Sequence, residues 1–87
     1  MAYRLSTSDR FEKQFKQLAQ QEQKQIRNKI EILAVNPLHP SLRTKRIKGT
    51  EDMFECSINM DIRIIWHYEN NRMMLLSVGH HDILKKR

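Results

Sequence analysis

Two side chains in the last third of the sequence could act together on a phosphate group. Arg63 lies near the start of an apolar, strand-like run, and His81 follows a second such run. Because an antiparallel hairpin places the start of one strand beside the end of the other, we expect Arg63 and His81 to be neighbours. A guanidinium can offer two hydrogen bonds to phosphate oxygens, and an imidazole can gain or lose a proton near neutral pH. The pair therefore suits phosphodiester chemistry, although spacing alone favours an exposed histidine and a solvated arginine.

Other ionisable side chains on the same hairpin are weaker candidates. His67 and Arg63 are an even number of residues apart, so a strand places both on one face and offers His67 as a second imidazole. Asp61 could orient a histidine or cap a turn, and its position before the strand favours the turn. His80 points away from His81 if the strand continues through both residues, which favours a structural role for His80.

The chain is strongly basic, with 16 Lys and Arg residues against 10 Asp and Glu residues and a net charge of +6. Such a surface prefers a polyanion, which could be nucleic acid, anionic lipid or an acidic protein, although many small basic domains bind none of these. The densest basic segment and the C-terminal tail could follow a phosphate backbone. Their cationic side chains are Arg43, Lys45, Arg46, Lys48, Lys85, Lys86 and Arg87. A solvated face is the plainer interpretation, and alternation places Lys45 opposite Arg46 and Lys48.

The first half of the chain has the periodicity of two amphipathic helices that follow a short strand. Residues 2–6 alternate as a strand does, and Thr7, Ser8 and Asp9 offer N-caps for a helix. Apolar residues then recur at helical spacing in two stripes, which residues 20–22 separate. The stripes are Phe11, Phe15 and Leu18, then Ile26, Ile30, Leu33 and Ala34. Asn36-Pro37 ends the second helix, because the residue before a proline disfavours helical conformation.

From residue 42 onward the pattern changes to that of strands. We expect strands over residues 44–48, 53–58, 62–68 and 73–78, with tight turns between the last three. In the last strand, alternation places Met74, Leu76 and Val78 on one face. Strands that follow a helical pair predict an α+β domain, in which a two-helix hairpin packs on one face of a mostly antiparallel, four- to five-stranded sheet. An N-terminal strand and a short C-terminal tail complete it, and the other sheet face would be a binding surface.

Length and cysteine content limit the class of protein. The chain is short enough to form a single domain, 1–87, with a thin core. Its lone cysteine, Cys56, excludes an intrachain disulfide and fits a buried structural thiol in a reducing compartment. Residues 1–10 lack an apolar core of the length that a signal peptide needs, and no apolar run approaches the ~20 residues of a membrane span, so we expect a cytoplasmic protein without a membrane partner. Zinc-ligand spacing and phosphate-binding glycine loops are missing from the sequence, so we expect no metal and no cofactor.

Nearly the whole chain resembles the RelE/ParE superfamily of bacterial and archaeal toxins from toxin–antitoxin systems, particularly its RelE and YafQ-like branch. The resemblance begins in the helical hairpin that ends at Asn36-Pro37 and continues through Arg46-Ile-Lys-Gly49 and Met53-Phe-Glu-Cys-Ser57. It is strongest at Asp61-Ile-Arg-Ile-Ile-Trp66 and Leu76-Ser-Val-Gly-His-His-Asp82. An arginine that opens an apolar strand, followed by a strand that ends in Val-Gly-x-His-Asp, is fairly specific to this group.

The resemblance implies a toxin that cleaves mRNA, typically on the ribosome, and that a cognate antitoxin with an acidic segment neutralises. Cleavage would need no metal, because the RNA 2′-hydroxyl attacks the neighbouring phosphate. His81 matches the general acid of YafQ-like toxins, Arg63 matches the arginine that stabilises the phosphate, and Asp61 matches an acidic site residue. Lys45 falls where relatives have a further histidine, which implies a phosphate contact.

Two positions depart from the family pattern. Ser57 stands where relatives carry a general-base lysine or histidine, and Lys85 stands where they carry a tyrosine or phenylalanine. Lys45 or His67 would then act as the base, or ribosomal RNA would position the 2′-hydroxyl. ParE-like toxins use the same scaffold against DNA gyrase, so a gyrase-directed toxin and a non-catalytic RNA-binding domain are the alternatives to an mRNA endonuclease.

Overall fold

The two helices form where the periodicity predicts them. In the structure, a computed structural model that describes residues 2–81, helix α1 spans Asp9–Lys16 and helix α2 spans Gln20–Val35. Asn36 is the C-cap of α2, which confirms the predicted end before Pro37. A 3₁₀ turn, Pro40–Leu42, follows. None of the described helices is long and apolar enough to span a membrane.

Five strands form one sheet, which confirms the predicted α+β architecture. The strands are β1 (Arg4–Thr7), β2 (Lys45–Arg46), β3 (Met53–Ser57), β4 (Ile62–Glu69) and β5 (Arg72–His80). Their order across the sheet is β1-β5-β4-β3-β2, in which β1 runs parallel to β5 and every other pair is antiparallel. The long β4–β5 hairpin, closed by Asn70 in left-handed conformation (φ 59°), therefore occupies the middle of the sheet.

The hydrophobic core lies between the helices and one face of the sheet. Ile62, Ile64 and Trp66 of β4 are fully buried there. They pack in one cluster with apolar side chains from both helices, the 3₁₀ turn and the neighbouring strands, among them Phe11, Ile26, Leu33, Leu42, Cys56, Met73, Leu75 and Val78. The alternate residues of β4 lie on the opposite side, which we call the helix-free face. On β4 this face consists of Arg63, Ile65, His67 and Glu69.

The helix-free face is less open than the sequence predicts. Ile65 is only 2% exposed, and its β5 partner Ser77 is 5% exposed. Arg63 and His67, on either side of Ile65 along β4, are half-buried. The polar side chains of this face are therefore arranged around a buried centre and not on a flat solvated surface.

The structure corrects the predicted faces of the last strand. A β-bulge interrupts the β4–β5 register, so that Ile65 pairs with Ser77 while the next residue, Trp66, pairs with Leu75. Leu76 is thus an extra residue on β5, and alternation changes phase at that point. Met73 and Leu75 share the core with Val78, where simple alternation would group Val78 with Met74 and Leu76.

Two predicted boundaries were also wrong. The strand expected over residues 44–48 contains only Lys45–Arg46, because Thr44 donates its hydroxyl to the Pro37 carbonyl and Gly49 (φ 86°) turns the chain soon afterwards. The break between the helices lies at residues 17–19 and not at 20–22. Glu22 accepts a hydrogen bond from the Ala19 N–H (3.1 Å), so the polar residues predicted to interrupt the helices instead begin α2.

Ser8 joins the start of α1 to the bulge of β5, and its loss should destabilise the fold. Its Oγ accepts a hydrogen bond from the Phe11 N–H (3.0 Å) and donates one to the Leu76 carbonyl (2.8 Å). We expect Ser8→Ala to lower the free energy of unfolding by about 1–2 kcal/mol, the range for loss of an N-cap. Urea denaturation would measure it. The matched control is Ser6→Ala, whose side chain makes no hydrogen bond within residues 2–81 and which should change the stability by less than about 0.5 kcal/mol.

Candidate active site on the helix-free face

Arg63 is held on the helix-free face by its own strand and the turn before it. Its Nη1 donates to the carbonyl oxygens of Asn59 (2.9 Å) and Ile62 (3.2 Å). In the sheet, Arg63 is paired with Ser57 on β3 and with Gly79 on β5. These backbone contacts use only Nη1, so the guanidinium is oriented while its remaining N–H groups are left for an anion.

His81 directly follows the neighbouring strand β5, and its backbone lies close to Arg63. Its backbone N–H donates to the Asp61 carbonyl (2.7 Å), which continues the β4–β5 ladder past His80. His81 is two residues beyond Gly79, the direct partner of Arg63, so its backbone is diagonal to that of Arg63. Diagonal neighbours in an antiparallel pair have Cα atoms about 7–8 Å apart, within reach of two long side chains. The structure thus brings together the two residues that the sequence predicts to be neighbours.

The side chain of Asp61 contacts His80 and not the turn. Its Oδ2 forms a short contact with His80 Nδ1, and His80 Nε2 is 3.5 Å from Glu22 Oε2 in the first turn of α2. Asn59 closes the turn instead, because its Oδ1 accepts hydrogen bonds from the N–H groups of Asp61 and Ile62 (both 2.8 Å). The preferred turn-capping role of Asp61 was therefore wrong. His80 connects the end of the sheet to α2, which agrees with the structural role predicted for it.

His67 lies on the predicted face but away from the Arg63–His81 pair. It is four residues from Arg63 along β4, which corresponds to about 13 Å in a strand. Its ring is 29% exposed and lies between two carboxylates, with Nδ1 3.9 Å from Asp52 Oδ2 and Nε2 3.8 Å from Glu69 Oε2. The structure does not bring His67 to the phosphate that Arg63 and His81 could share.

The predicted basic cluster divides between the two sides of the sheet. Lys45 is on the helix-free face, opposite Glu55, whereas Arg46 pairs with the core-facing Phe54 and points to the other side. Lys48 belongs to the turn that Gly49 closes. Lys85 lies outside the described residues. Of Lys45, Arg46 and Lys48, which lie within the described residues, Lys45 alone is thus placed on the face of Arg63.

Glu55 is a candidate site residue that the sequence analysis did not select. Its side chain is 21% exposed, and its Oε1 is 3.8 Å from Lys45 Nζ. Glu55 is two residues before Ser57, the β3 partner of Arg63, so it lies diagonal to Arg63 on the side away from His81. The alternation of Met53–Ser57 already placed Glu55 and Ser57 on one face, and that was the signal for a carboxylate beside Arg63.

A cleft of about 280 Å³ opens beside Arg63. It is lined by Ser41, Arg43, Ser57, Ile58, Asn59, Met60 and Arg63. Two guanidinium groups, two hydroxyls and an amide are hydrogen-bond donors, and they suit an anion such as a phosphate better than an apolar ligand. The cleft therefore extends the candidate site from Arg63 towards the segment after the 3₁₀ turn.

Neither a metal site nor a reactive thiol is found in the part of the chain that the structure describes. Residues 2–81 contain no group of three His, Cys, Asp or Glu side chains that could hold a metal ion. Cys56 is 1% exposed, and burial raises the pKa of its thiol to about 12. A thiol that resists ionisation is a poor nucleophile, so Cys56 is a core residue.

Several solved structures have the same fold and are distant in sequence. The E. coli DinJ–YafQ toxin–antitoxin complex contains a chain with 17% identity and a TM-score of 0.78, and the match covers 97% of this chain and 98% of that one. The RelB–RelE antitoxin–toxin complex from Methanococcus jannaschii gives 21% identity and a TM-score of 0.77 over 92% and 94% of the two chains. A mutant of E. coli toxin RelE in the free state gives 18% identity and 0.77 over 98% and 90%.

Sequence comparison gives a more specific result than these fold matches. No curated protein sequence is similar enough to count as a match. The family model described as "Bacterial toxin of type II toxin-antitoxin system, YafQ" matches residues 3–86, which is nearly the whole chain. The chain therefore belongs to the YafQ family of bacterial toxins of type II toxin–antitoxin systems.

Proposed function

We propose that this toxin is an endoribonuclease that cleaves mRNA on the ribosome, in the cytoplasm. The observation that supports this most directly is that the backbone of Arg63 lies between those of two diagonal neighbours, Glu55 on one side and His81 on the other. An arginine with a carboxylate and an imidazole on opposite sides suits an in-line displacement at phosphorus, because proton removal and proton donation occur at opposite ends of the reacting group.

In the proposed reaction, the 2′-oxygen of a ribose attacks the adjacent phosphate while Glu55 removes the hydroxyl proton. Arg63 stabilises the additional negative charge on the phosphorane with its available N–H groups. His81, in its protonated form, donates a proton to the 5′-oxygen as the phosphorus–oxygen bond to that atom breaks. The products are a 2′,3′-cyclic phosphate and a 5′-hydroxyl, and the reaction consumes neither a metal nor a cofactor.

The remaining predicted residues have supporting roles in this proposal. Lys45 is adjacent to Glu55 and can contact a phosphate with its exposed ammonium group. Asp61 fixes His80 and, through its own carbonyl, the backbone of His81. His67 is too far along β4 to act on the phosphate bound by Arg63 and would meet a neighbouring part of the RNA. Arg46, Lys48 and Lys85 would contribute to the general attraction of RNA.

We propose a cognate antitoxin as the second partner. Two of the similar solved structures are toxin–antitoxin complexes, DinJ–YafQ and RelB–RelE. With a net charge of +6, this chain would favour an acidic antitoxin segment that folds on binding. The same charge would draw the toxin to the ribosome once the antitoxin is lost.

Primer extension on a reporter mRNA after brief induction tests the proposal, with isolated ribosomes assayed in parallel. We expect discrete cuts that are in phase with codons and that depend on the presence of ribosomes. Growth arrest with intact mRNA would contradict RNA cleavage and indicate a gyrase-directed toxin, which a DNA cleavage assay would then detect. Normal growth with intact mRNA would contradict both toxin functions and would leave a non-catalytic RNA-binding domain as the remaining alternative.

A further inference from the structure

Two arginines lie side by side at the opposite end of the helix-free face. Arg4 of β1 and Arg72 of β5 are direct partners in a parallel pair, so their side chains leave the sheet on the same side. Arg72 is in turn the β5 partner of Glu69, which lies on the helix-free face. The row formed by Arg4, Arg72 and Glu69 therefore lies on that face. Both arginines are exposed. The fold therefore holds two guanidinium groups on adjacent strands in solvent.

The fold itself gains nothing from this pairing. Like charges directly opposite each other in a sheet are destabilising. Neither arginine has a carboxylate within 4.0 Å among residues 2–81. The nearest acidic neighbour in the row, Glu69, has its Oε2 3.8 Å from His67 Nε2. The pair therefore carries two positive charges against one neighbouring carboxylate, that of Glu69, and an anion would relieve the remaining repulsion.

The surface around the arginines can receive a ligand. They border a shallow depression of about 450 Å³ together with Glu69, Asn70 and Asn71. The two asparagines form the hairpin turn, and their side-chain amides add hydrogen-bond donors beside the guanidinium groups. One carboxylate at the rim, that of Glu69, would oppose an anion. The depression is otherwise a polar, cationic site.

We propose that Arg4 and Arg72 bind a backbone phosphate of RNA at some distance from the scissile bond. The inference rests on the proposed function in taking RNA as the ligand. From Arg63 to Glu69, beside Arg72, β4 advances six residues, or about 20 Å. One nucleotide cannot span that distance, so the pair contacts a different segment of the strand that Arg63 holds. It contributes to affinity and to the register of the RNA and takes no part in bond breaking.

Binding of an uncleavable RNA tests this without any dependence on catalysis. The probe is a fluorescent, fully 2′-O-methylated single strand, titrated with wild-type toxin and with the double variant Arg4→Gln/Arg72→Gln over a range of salt concentrations. The matched control is Lys13→Gln/Lys24→Gln, which removes the same charge from exposed positions on α1 and α2. Glu69→Gln is the converse variant, because it removes the opposing carboxylate.

We expect the arginine variant to weaken binding about three- to tenfold near physiological salt, and to reduce the slope of log K against log salt by about 0.7, the value for one phosphate of a single strand. The Lys13→Gln/Lys24→Gln control should change log K for RNA binding by less than half as much as the arginine variant does. Glu69→Gln should strengthen RNA binding. A 2′-O-methyl dinucleotide, too short to reach from Arg63 to Arg72, should bind the wild type and the arginine variant equally.

Equal losses from the arginine and control variants would overturn the inference, because the effect would then be one of net charge. Unchanged RNA binding combined with weaker binding of poly-glutamate would also overturn it, in favour of a site for an acidic protein segment. A toxin that fails to cut mRNA but shows the expected loss of RNA binding would contradict the proposed cleavage and leave this site standing. The two failures are therefore distinguishable.

Discussion

Replacing His81 with alanine should reduce RNA cleavage by about 10²-fold or more, the typical contribution of a general acid. The leaving 5′-oxygen would lose its proton donor, while RNA binding and the fold would be retained because His81 follows β5 and is not part of the hydrophobic core. Single-turnover cleavage of mRNA on isolated ribosomes would measure the loss. Far-UV circular dichroism and urea denaturation would confirm that the variant is folded.

His67→Ala is the control for this experiment, since it removes an imidazole from the same face of the sheet. It should reduce the rate by less than about tenfold, because His67 lies about 13 Å along the strand from Arg63. If His67→Ala lost as much activity as His81→Ala, the two histidines would have to act on the same phosphate. The assignment of proton transfer to Glu55 and His81 would then be wrong.

Glu55→Gln is the second substitution with a large expected effect, again about 10²-fold on the rate of cleavage. An amide cannot accept the 2′-hydroxyl proton, although it retains the size of the side chain and its place between Lys45 and Arg63. The pH profile separates this role from a structural one. A general base acts only when deprotonated, so the wild-type rate should rise with pH, and Glu55→Gln should abolish this rise.

Two further variants decide whether the carboxylate of Glu55 is itself responsible for removing the 2′-hydroxyl proton. Glu55→Asp keeps the carboxylate, so it should be more active than Glu55→Gln, and its rate of cleavage should still rise with pH. Lys45→Gln removes the ion-pair partner at 3.8 Å and should cost less than Glu55→Gln. An inactive Lys45→Gln beside a fully active Glu55→Gln would make Lys45 the base, one of the alternatives that the family resemblance left open.

Much of the fold could be predicted from local patterns. The apolar stripes of the helices, the Ser8 cap and the stop at Asn36 depend on neighbouring residues, and the structure confirms them. The closeness of Arg63 and His81 was also predictable, because a tight hairpin fixes the register of its two strands. These features need no knowledge of distant contacts.

The features that could not be predicted depend on contacts between distant segments. The bulge at Leu76 changes which residues of β5 face the core, and it coincides with the hydrogen bond from Ser8 of the first helix cap. His80 is fixed by Asp61 and by Glu22 from α2, so its partner could not be read from the hairpin alone. The parallel pairing of Arg4 with Arg72 likewise joins the two ends of the described chain.

That same pairing determines when the molecule can fold during its synthesis. β1 is made first, but its partner β5 is the last strand to leave the ribosome, and β5 is also the partner of β4. Contacts between segments so far apart in sequence form late and slowly. Until β5 has emerged, neither β1 nor β4 has its β5 partner, and His81, which follows β5, is not beside Arg63. A nascent chain therefore cannot assemble its candidate site until nearly all of its described residues have been translated.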